Sequence, residues 1–281
     1  MNVNLNKVKK RASLNGDGRI STENSEPFFK GSLVEICILS YAAYSFSEKH
    51  ALKHELMPFF SETRLGKIGR LMLNPQDSSL FEKHISALEQ SAAAELAICA
   101  AMKNSGRPFA PSDYAYKESG QPTIQNGHIS ISHTEGYAAC AISRQPVGID
   151  VERGHTFSKA AAKRILSPQE ELMSDSTNAE ELLSRIWTVK ESFLKMTGEG
   201  IPGGMRTLEL IAAGDGSSGK WTIKRGTELE AGCAVLLSIS GSGNSADFND
   251  AYLSVCTKKK AMMHINRFES VESILEFLNE P

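Results

Sequence analysis

A long segment without glycine or proline lies in the first half of the chain, from Leu80 to Met102. From Ser86 onward it reads SALEQSAAAELAICAAM, which is rich in alanine, leucine, glutamate and glutamine. These residues have high intrinsic helix propensities, and no helix breaker interrupts them. We therefore predict a central helix here.

A β-hairpin is predicted after this helix. A loop that contains proline and glycine covers residues 106–122, and HISIS, which starts at His128, alternates apolar and polar residues. The turn-prone Thr134–Gly136 follows, and the chain returns as the apolar run YAACAIS. Two such runs joined by a short glycine-containing turn are typical of a hairpin.

The next segment, VGIDVE, begins after a break at Gln145–Pro146 and alternates strictly. As a strand it places Val147, Ile149 and Val151 on one face and Gly148, Asp150 and Glu152 on the other. Magnesium prefers oxygen ligands and usually takes one or two carboxylates with phosphate and water, and Gly148 is expected to leave space for a ligand. Taken alone, the two carboxylates also fit the solvent-exposed face of an edge strand.

A second helix is predicted for EELLSRIWTVKESFLKMTGEG, with its end at Gly198. Its apolar stripe consists of Leu182, Ile186, Val189, Phe193 and Met196. Glu191 and Lys195 lie one turn apart and away from this stripe, a spacing that is also common for stabilising pairs on exposed helices. We expect Trp187 to pack in the core.

The rest of the chain alternates strand-like runs with turns rich in glycine and serine. The predicted strands are LELIAA, KWTIKR, CAVLLSIS and AYLSVCT, and SVESILEFLNE predicts a last helix. Only a faint internal similarity, YAAC against YLSVC, connects the two halves. Residues 1–28 are polar and have too few apolar groups to drive folding, so we predict a flexible N-terminal extension.

Composition and charge narrow the function classes. The 31 lysines and arginines against 33 aspartates and glutamates give a formal net charge of −2, so no global positive field favours nucleic acid or anionic lipid. The five cysteines are odd in number and lack a metal or redox spacing. No run approaches the ~20 apolar residues of a membrane helix. We expect a cytoplasmic, monomeric protein that binds neither nucleic acid nor membranes.

The order of ISISHT, VGIDVE and WTVKESFLK resembles the surfactin type of 4'-phosphopantetheinyl transferase. That family is marked by a GxDxE strand followed, a few tens of residues later, by a W-[ST]-x-K-E-[SA]-x-x-K helix. The positions of this sequence that match are Gly148, Asp150, Glu152, Trp187, Thr188, Lys190, Glu191, Ser192 and Lys195. The resemblance is strongest from about residue 120 to 200.

The resemblance implies a set of site residues. Asp150, Glu152 and Glu191 would be ligands of Mg²⁺, and Glu191 and Lys195 would be catalytic. The residues implied to bind coenzyme A are Arg64, Lys67, Ser132, His133 and Lys195. The first two come from FSETRLGKIGRL, a looser match in which Arg64 and Lys67 would hold the 3'-phosphate; a solvated basic helix face fits them equally.

One position departs from the family pattern. Members commonly carry Gly-Lys-Pro before the strand that ends in Ser-His, whereas this chain has Gly120-Gln121-Pro122. A contact to phosphate through a lysine at position 121 is therefore lost.

The resemblance also implies the fold and the reaction. The fold would be α+β, with two similar subdomains related by pseudo-twofold symmetry, residues 29–145 and 146–281, and the metal site at their junction. The reaction would be the Mg²⁺-dependent transfer of 4'-phosphopantetheine from coenzyme A to a serine of an acyl, polyketide or peptidyl carrier protein, with release of 3',5'-bisphosphoadenosine.

Two alternatives stay open from the residues. Another magnesium-dependent phosphotransferase could use the same carboxylates, although the sequence has no P-loop, kinase or Rossmann glycine pattern. A regulator that binds coenzyme A or a carrier without catalysis is the other alternative. Gln121 is compatible with such a regulator, and the three carboxylates argue against it.

Overall fold

A computed structural model of the chain describes residues 33–42, 44–48, 51–62, 65–66, 78–106, 114–117, 121–154, 157–171, 179–200, 204–213, 219–227, 231–239 and 251–281. The predicted extension 1–28 lies outside them, as do Arg64 and Lys67. No helix in these ranges is both long and apolar enough to cross a lipid bilayer.

The first half of the chain builds a sheet around one long helix. Its elements are β1 (Leu33–Ser40), β2 (Ser47–Glu48), β3 (Ala51–Leu52), a 3₁₀ helix (His54–Phe59), α1 (Ser78–Asn104), β4 (Tyr114–Tyr116), β5 (Pro122–Ile124), β6 (His128–Thr134) and β7 (Tyr137–Ser143). The central helix and the hairpin predicted from the sequence are confirmed as α1 and as β6 with β7.

The second half begins with the strand that carries the two carboxylates. Its elements are β8 (Val147–Arg153), α2 (Lys159–Ile165), α3 (Pro168–Glu171), α4 (Ala179–Thr197), a 3₁₀ helix (Met205–Thr207), β9 (Leu208–Ala212), β10 (Lys220–Arg225), β11 (Gly232–Ile239), β12 (Ala251–Thr257), β13 (Met262–Phe268) and α5 (Val271–Asn279). The five strands and two helices predicted from the sequence in this half are confirmed, and α4 ends before Gly198, whose φ is 76°.

The strands form two main sheets, and the α+β class is confirmed. The first sheet has the order β13-β1-β7-β6, and the second has the order β8-β12-β11-β10-β9. In each half a strand precedes a long helix, and a strand that follows this helix pairs with the first one antiparallel: β7 with β1, and β12 with β8. The similar segments YAAC and YLSVC therefore lie on corresponding strands, β7 and β12.

Three buried clusters hold these layers together. One lies between α1 and the first sheet, and another lies between α4 and the second sheet. The third joins the two sheets and includes Ile36, Ala139, Ile149 and Leu253. The valine and isoleucine face of β8 belongs to this third cluster, so its other face, with Asp150, is turned towards α4.

Gly148 has a different role from the one expected. A Cβ atom at this position would overlap the carbonyl oxygen of Ser192 and would lie 2.5 Å from the nitrogen of Met196. The expectation that Gly148 leaves space for a ligand is therefore wrong, because the backbone of α4 fills that space. Glycine allows α4 to approach β8 closely, and this contact brings the helix residues to Asp150.

Strand β13 was missed from the sequence. It pairs with β1 in parallel at the edge of the first sheet, and of its residues only Ile265 is buried. Polar residues such as His264, whose Nδ1 lies 2.7 Å from Glu35 Oε2, weaken the apolar pattern of this strand. An edge strand with one buried residue gives little periodic signal.

Candidate active site

The candidate site lies where β6, β8 and α4 meet. β8 carries Asp150, α4 carries Glu191 and Lys195, and β6 contributes Ser132. β6 and β8 are the edge strands of different sheets and lie against each other. The site is therefore built from both halves of the chain.

Asp150 is the centre of a compact polar cluster. Its side chain is buried, and its Oδ1 accepts hydrogen bonds from Lys195 Nζ at 2.7 Å and from Ser132 Oγ at 2.9 Å. Lys195 Nζ also donates to Ser132 Oγ at 2.9 Å. Asp150 Oδ1, Ser132 Oγ and Lys195 Nζ therefore form a closed triangle of hydrogen bonds. Lys195 therefore contacts Asp150 in the interior, and it does not form an exposed pair with Glu191 on the surface of the helix.

Two carboxylate oxygens in the site are buried without a hydrogen-bond donor among the described residues. They are Asp150 Oδ2 and Glu191 Oε1. A buried carboxylate oxygen that lacks a donor raises the free energy of the folded state. A hard cation would compensate both atoms, since Mg²⁺ selects oxygen ligands. The chemistry of these residues therefore fits a divalent cation.

The pKa of Glu191 also reflects the concentration of negative charge in the site. Burial is the main cause that raises the pKa of Glu191 to about 7, and the negative charge of Asp150 raises it further. Lys195 opposes this rise in the pKa of Glu191, and Glu152 adds to it. Within the described ranges, no three histidine, cysteine, aspartate or glutamate side chains are grouped closely enough to form a metal site as they stand.

The other predicted coenzyme A residues are distributed differently. Ser132 pairs with Ala139 across the hairpin, and His133 pairs with Ala138. Neighbouring residues of a strand point to opposite faces, so the exposed His133 lies on the face of β6 opposite Ser132. Arg64 and Lys67 lie outside the described residues, and their role stays a prediction.

Lys190 carries a function that the sequence analysis did not assign. It is completely buried, and its Nζ donates to Glu170 Oε2 at 2.6 Å and to the carbonyl oxygen of Ile165 at 2.8 Å. Burial lowers the pKa of Lys190, and Glu170 opposes this shift. One signal was available: Lys190 follows Ile186 by four residues and so lies on the apolar side of α4.

Glu170 connects this lysine to two further segments. Its Oε2 accepts from the amide of Ser167 at 2.8 Å, and its Oε1 accepts from the amide of Leu210 at 3.2 Å. The buried pair therefore ties α4 to α3 and to β9. It holds the helix that carries Glu191 and Lys195.

Position 121, where the family pattern has a lysine, lies at the end of α4. Gln121 Nε2 donates to the carbonyl oxygen of Lys195 at 3.5 Å, and Gln121 Oε1 accepts from Lys117 Nζ at 2.9 Å. Lys117 is exposed. A lysine ammonium group thus lies beside Gln121, and it is supplied by a different residue, Lys117.

Trp187 packs as expected from the sequence. It lies against the core cluster of α4 and contacts Phe157, with ring centroids 5.7 Å apart. It belongs to the packing of the helix rather than to the polar cluster around Asp150.

The part of the chain that carries β8 and α4 also matches known proteins. Residues 146–255 match the model of the 4'-phosphopantetheinyl transferase superfamily. The chain is 29% identical over 167 residues to the 4'-phosphopantetheinyl transferase psf-1 of Bacillus pumilus, a match that covers 57% of this chain and 66% of that protein. It is 35% identical over 83 residues to the 4'-phosphopantetheinyl transferase Sfp of Bacillus subtilis (strain 168), covering 28% of this chain and 37% of Sfp.

A further relative and one solved structure also match. The 4'-phosphopantetheinyl transferase HetI of Nostoc sp. is 32% identical over 100 residues, which cover 31% of this chain and 42% of HetI. The crystal structure of Thermotoga maritima holo-[acyl-carrier-protein] synthase is 24% identical, with a TM-score of 0.30, and the match covers 41% of this chain and 64% of that one. The chain thus matches less than two thirds of the length of these relatives.

The matched segment includes β8 and α4, on which Asp150, Glu152, Glu191 and Lys195 are found. The resemblance drawn from the sequence motifs is thereby confirmed: residues 146–255 match the 4'-phosphopantetheinyl transferase superfamily, and these relatives are transferases of the type that the motifs indicated.

Proposed function

We propose that this protein transfers the 4'-phosphopantetheine group of coenzyme A to a serine of an acyl, polyketide or peptidyl carrier protein, in a Mg²⁺-dependent reaction that releases 3',5'-bisphosphoadenosine. The observation that carries this proposal is the cluster of the buried Asp150 and Glu191 with the partly exposed Lys195, inside the segment that matches the superfamily. We also propose that the protein is a cytoplasmic monomer that binds neither nucleic acid nor membranes.

Asp150, Glu152 and Glu191 are the residues that would hold Mg²⁺. The two donor-free oxygens, Asp150 Oδ2 and Glu191 Oε1, support this assignment, because each needs a positive partner. When bound, the ion would neutralise negative charge on the pyrophosphate oxygens of coenzyme A.

Lys195 supplies a fixed positive charge for the same phosphates. Its ammonium group is held by Asp150 and Ser132 and is about one-third exposed, so it is both oriented and accessible to a ligand. In the transfer, charge grows on the oxygen that leaves with 3',5'-bisphosphoadenosine, and a nearby cation stabilises it. His133 would contact a phosphate from the other face of β6, and Arg64 and Lys67 would hold the 3'-phosphate.

The proton of the acceptor serine needs a base. The serine Oγ forms a bond to the β-phosphorus, the bond from this phosphorus to the bridging oxygen of the leaving group breaks, and the hydroxyl proton passes to a carboxylate. Glu191 is the candidate, because it lies beside Lys195 and a carboxylate can act as general base through the oxygen that does not hold the cation.

The test is the intact mass of an apo carrier protein after incubation with this protein, coenzyme A and Mg²⁺. Carriers from fatty acid, polyketide and nonribosomal peptide systems are compared, each with a chelator control. A gain of one phosphopantetheine that the chelator prevents supports the proposal. No gain on any carrier, with coenzyme A still bound, would instead favour a regulator that binds coenzyme A without transferring it.

A further inference from the structure

Two serines of β6 connect it to β8. The Oγ of Ser130 accepts a hydrogen bond from the amide of Ile149 at 3.0 Å, and the Oγ of Ser132 donates to Asp150 Oδ1 at 2.9 Å. Both serines are buried. β6 and β8 belong to different sheets, so these hydroxyl groups make contacts that a strand ladder would otherwise provide.

The hydroxyl group of Ser132 is already used. Its single proton is donated to Asp150, and one of its lone pairs accepts from Lys195 Nζ at 2.9 Å. A serine has one donor and two acceptor lone pairs. To donate to a phosphate oxygen, Ser132 would have to release Asp150. Its side chain is also buried, which restricts the approach of a ligand.

The contact has a geometric effect on Asp150. Oδ1 is held by two donors from two elements, β6 and α4, and this fixes the plane of the carboxylate. The direction of Oδ2, the oxygen without a donor, is then fixed as well. A ligand atom that is oriented in advance binds a cation with less loss of conformational entropy.

We infer that Ser132 is a positioning residue, which orients Asp150 and Lys195 for a divalent cation, and is not a direct ligand of a coenzyme A phosphate. This inference rests on the proposed function, since it concerns the cation site of that reaction. It assigns to the first half of the chain the orientation of a cation ligand that is carried by the second half.

The test measures cation binding apart from transfer. Mn²⁺ is titrated into the full chain with coenzyme A present and every carrier absent, and free Mn²⁺ is followed by electron paramagnetic resonance. Removing a partner that orients a metal ligand typically weakens metal affinity ~10- to 100-fold, so we expect Ser132→Ala to weaken Mn²⁺ binding about tenfold. Ser132→Thr keeps the hydroxyl group and should restore most of the affinity.

Ser130→Ala is the matched control. It removes a buried serine hydroxyl from the same strand, two residues away, and leaves the amide of Ile149 without this acceptor. We expect a lower midpoint of thermal unfolding and a Mn²⁺ affinity close to that of the wild type. A stability loss shared by both alanine variants therefore cannot account for a loss of affinity that occurs in one of them.

Two results would overturn the inference. One is a Ser132→Ala variant with unchanged Mn²⁺ affinity and a raised KM for coenzyme A, which would make Ser132 a phosphate ligand; the other is a wild-type chain that binds no Mn²⁺. The carrier assay separates this inference from the proposed function. If no carrier is modified while Ser132→Ala still weakens Mn²⁺ binding, the positioning role stands and the proposed transfer fails.

Discussion

The α-carbon of Gly148 lies directly against the carbonyl group of Ser192, so α4 crosses β8 without room for a side chain. Gly148→Ala has to separate the two elements, and overpacking of this kind costs ~1–3 kcal/mol or more. We expect a lower midpoint of urea unfolding and loss of transfer, because Glu191 and Lys195 move away from Asp150.

Gly154→Ala is the control for this variant. Gly154 lies just beyond the end of β8, and a Cβ atom there would meet nothing within 4 Å. Its unfolding midpoint should stay near that of the wild type. Equal midpoints for the two alanine variants would contradict the close packing of α4 on β8.

The buried pair of Lys190 and Glu170 predicts a large stability effect. Lys190→Met leaves the carboxylate of Glu170 buried without its cation, and breaking a buried pair in this way costs ~3–5 kcal/mol. Adding Glu170→Gln should recover part of this loss in urea unfolding. On the same helix, Glu181→Gln removes an i,i+4 pair between the exposed Glu181 and the half-buried Arg185, and we expect a loss below ~0.5 kcal/mol. Equal losses for the Lys190 and Glu181 variants would exclude the structural role of the buried pair.

Glu191→Gln should separate stability from activity. The substitution removes a buried negative charge that lies beside Asp150 and Glu152. In metal-free buffer we expect a higher midpoint of thermal unfolding, by about 2–4 °C for each kcal/mol regained in a chain of this size. Transfer to a carrier should be abolished. Near-normal turnover would remove Glu191 from the reaction, and the exposed Glu181→Gln serves again as the control.

The position of Lys117 beside Gln121 leads us to expect that its substitution weakens the binding of coenzyme A. If Lys117 replaces the lysine that the family carries at position 121, Lys117→Met should raise the KM for coenzyme A up to about fivefold with little change in kcat, as for an exposed charge contact. The effect should shrink as ionic strength rises. Lys258→Met, an exposed lysine in the turn after β12, removes the same charge and should leave KM unchanged. A KM that responds equally to both variants would point to the net charge of the protein instead.

The sequence predicted the elements of the site well because each has a strong local pattern. The alternation of Val147 to Glu152 and the helical stripe around Val189 each depend on one element and its solvent or core side. Ser132 could not be assigned a partner in this way. Its contact with Asp150 joins strands of different sheets, and the periodicity of one strand says nothing about the neighbour it meets in another.

The role of Lys190 shows a second limit of sequence patterns. A lysine on the apolar side of a helix signals a buried charge, but its partner, Glu170, lies on a separate short helix twenty residues earlier. Gly148 shows a third limit. A glycine beside two carboxylates suggests an open space, whereas the tertiary structure uses the missing side chain for a helix contact.

The path of the chain through the two sheets has a further consequence. After β12 in the second sheet, the chain returns to the first, where β13 pairs with β1 and α5 packs against α1. The chain therefore passes between the halves twice, once before β8 and once after β12. If the protein were cut at residue 145, the edge of β1 in the first piece would be unpaired. In the second piece, β13 and α5 would lack the strand and the helix against which they pack. The two pieces would have to be produced together and reassociate. In the intact chain, we expect both halves to unfold in a single cooperative transition.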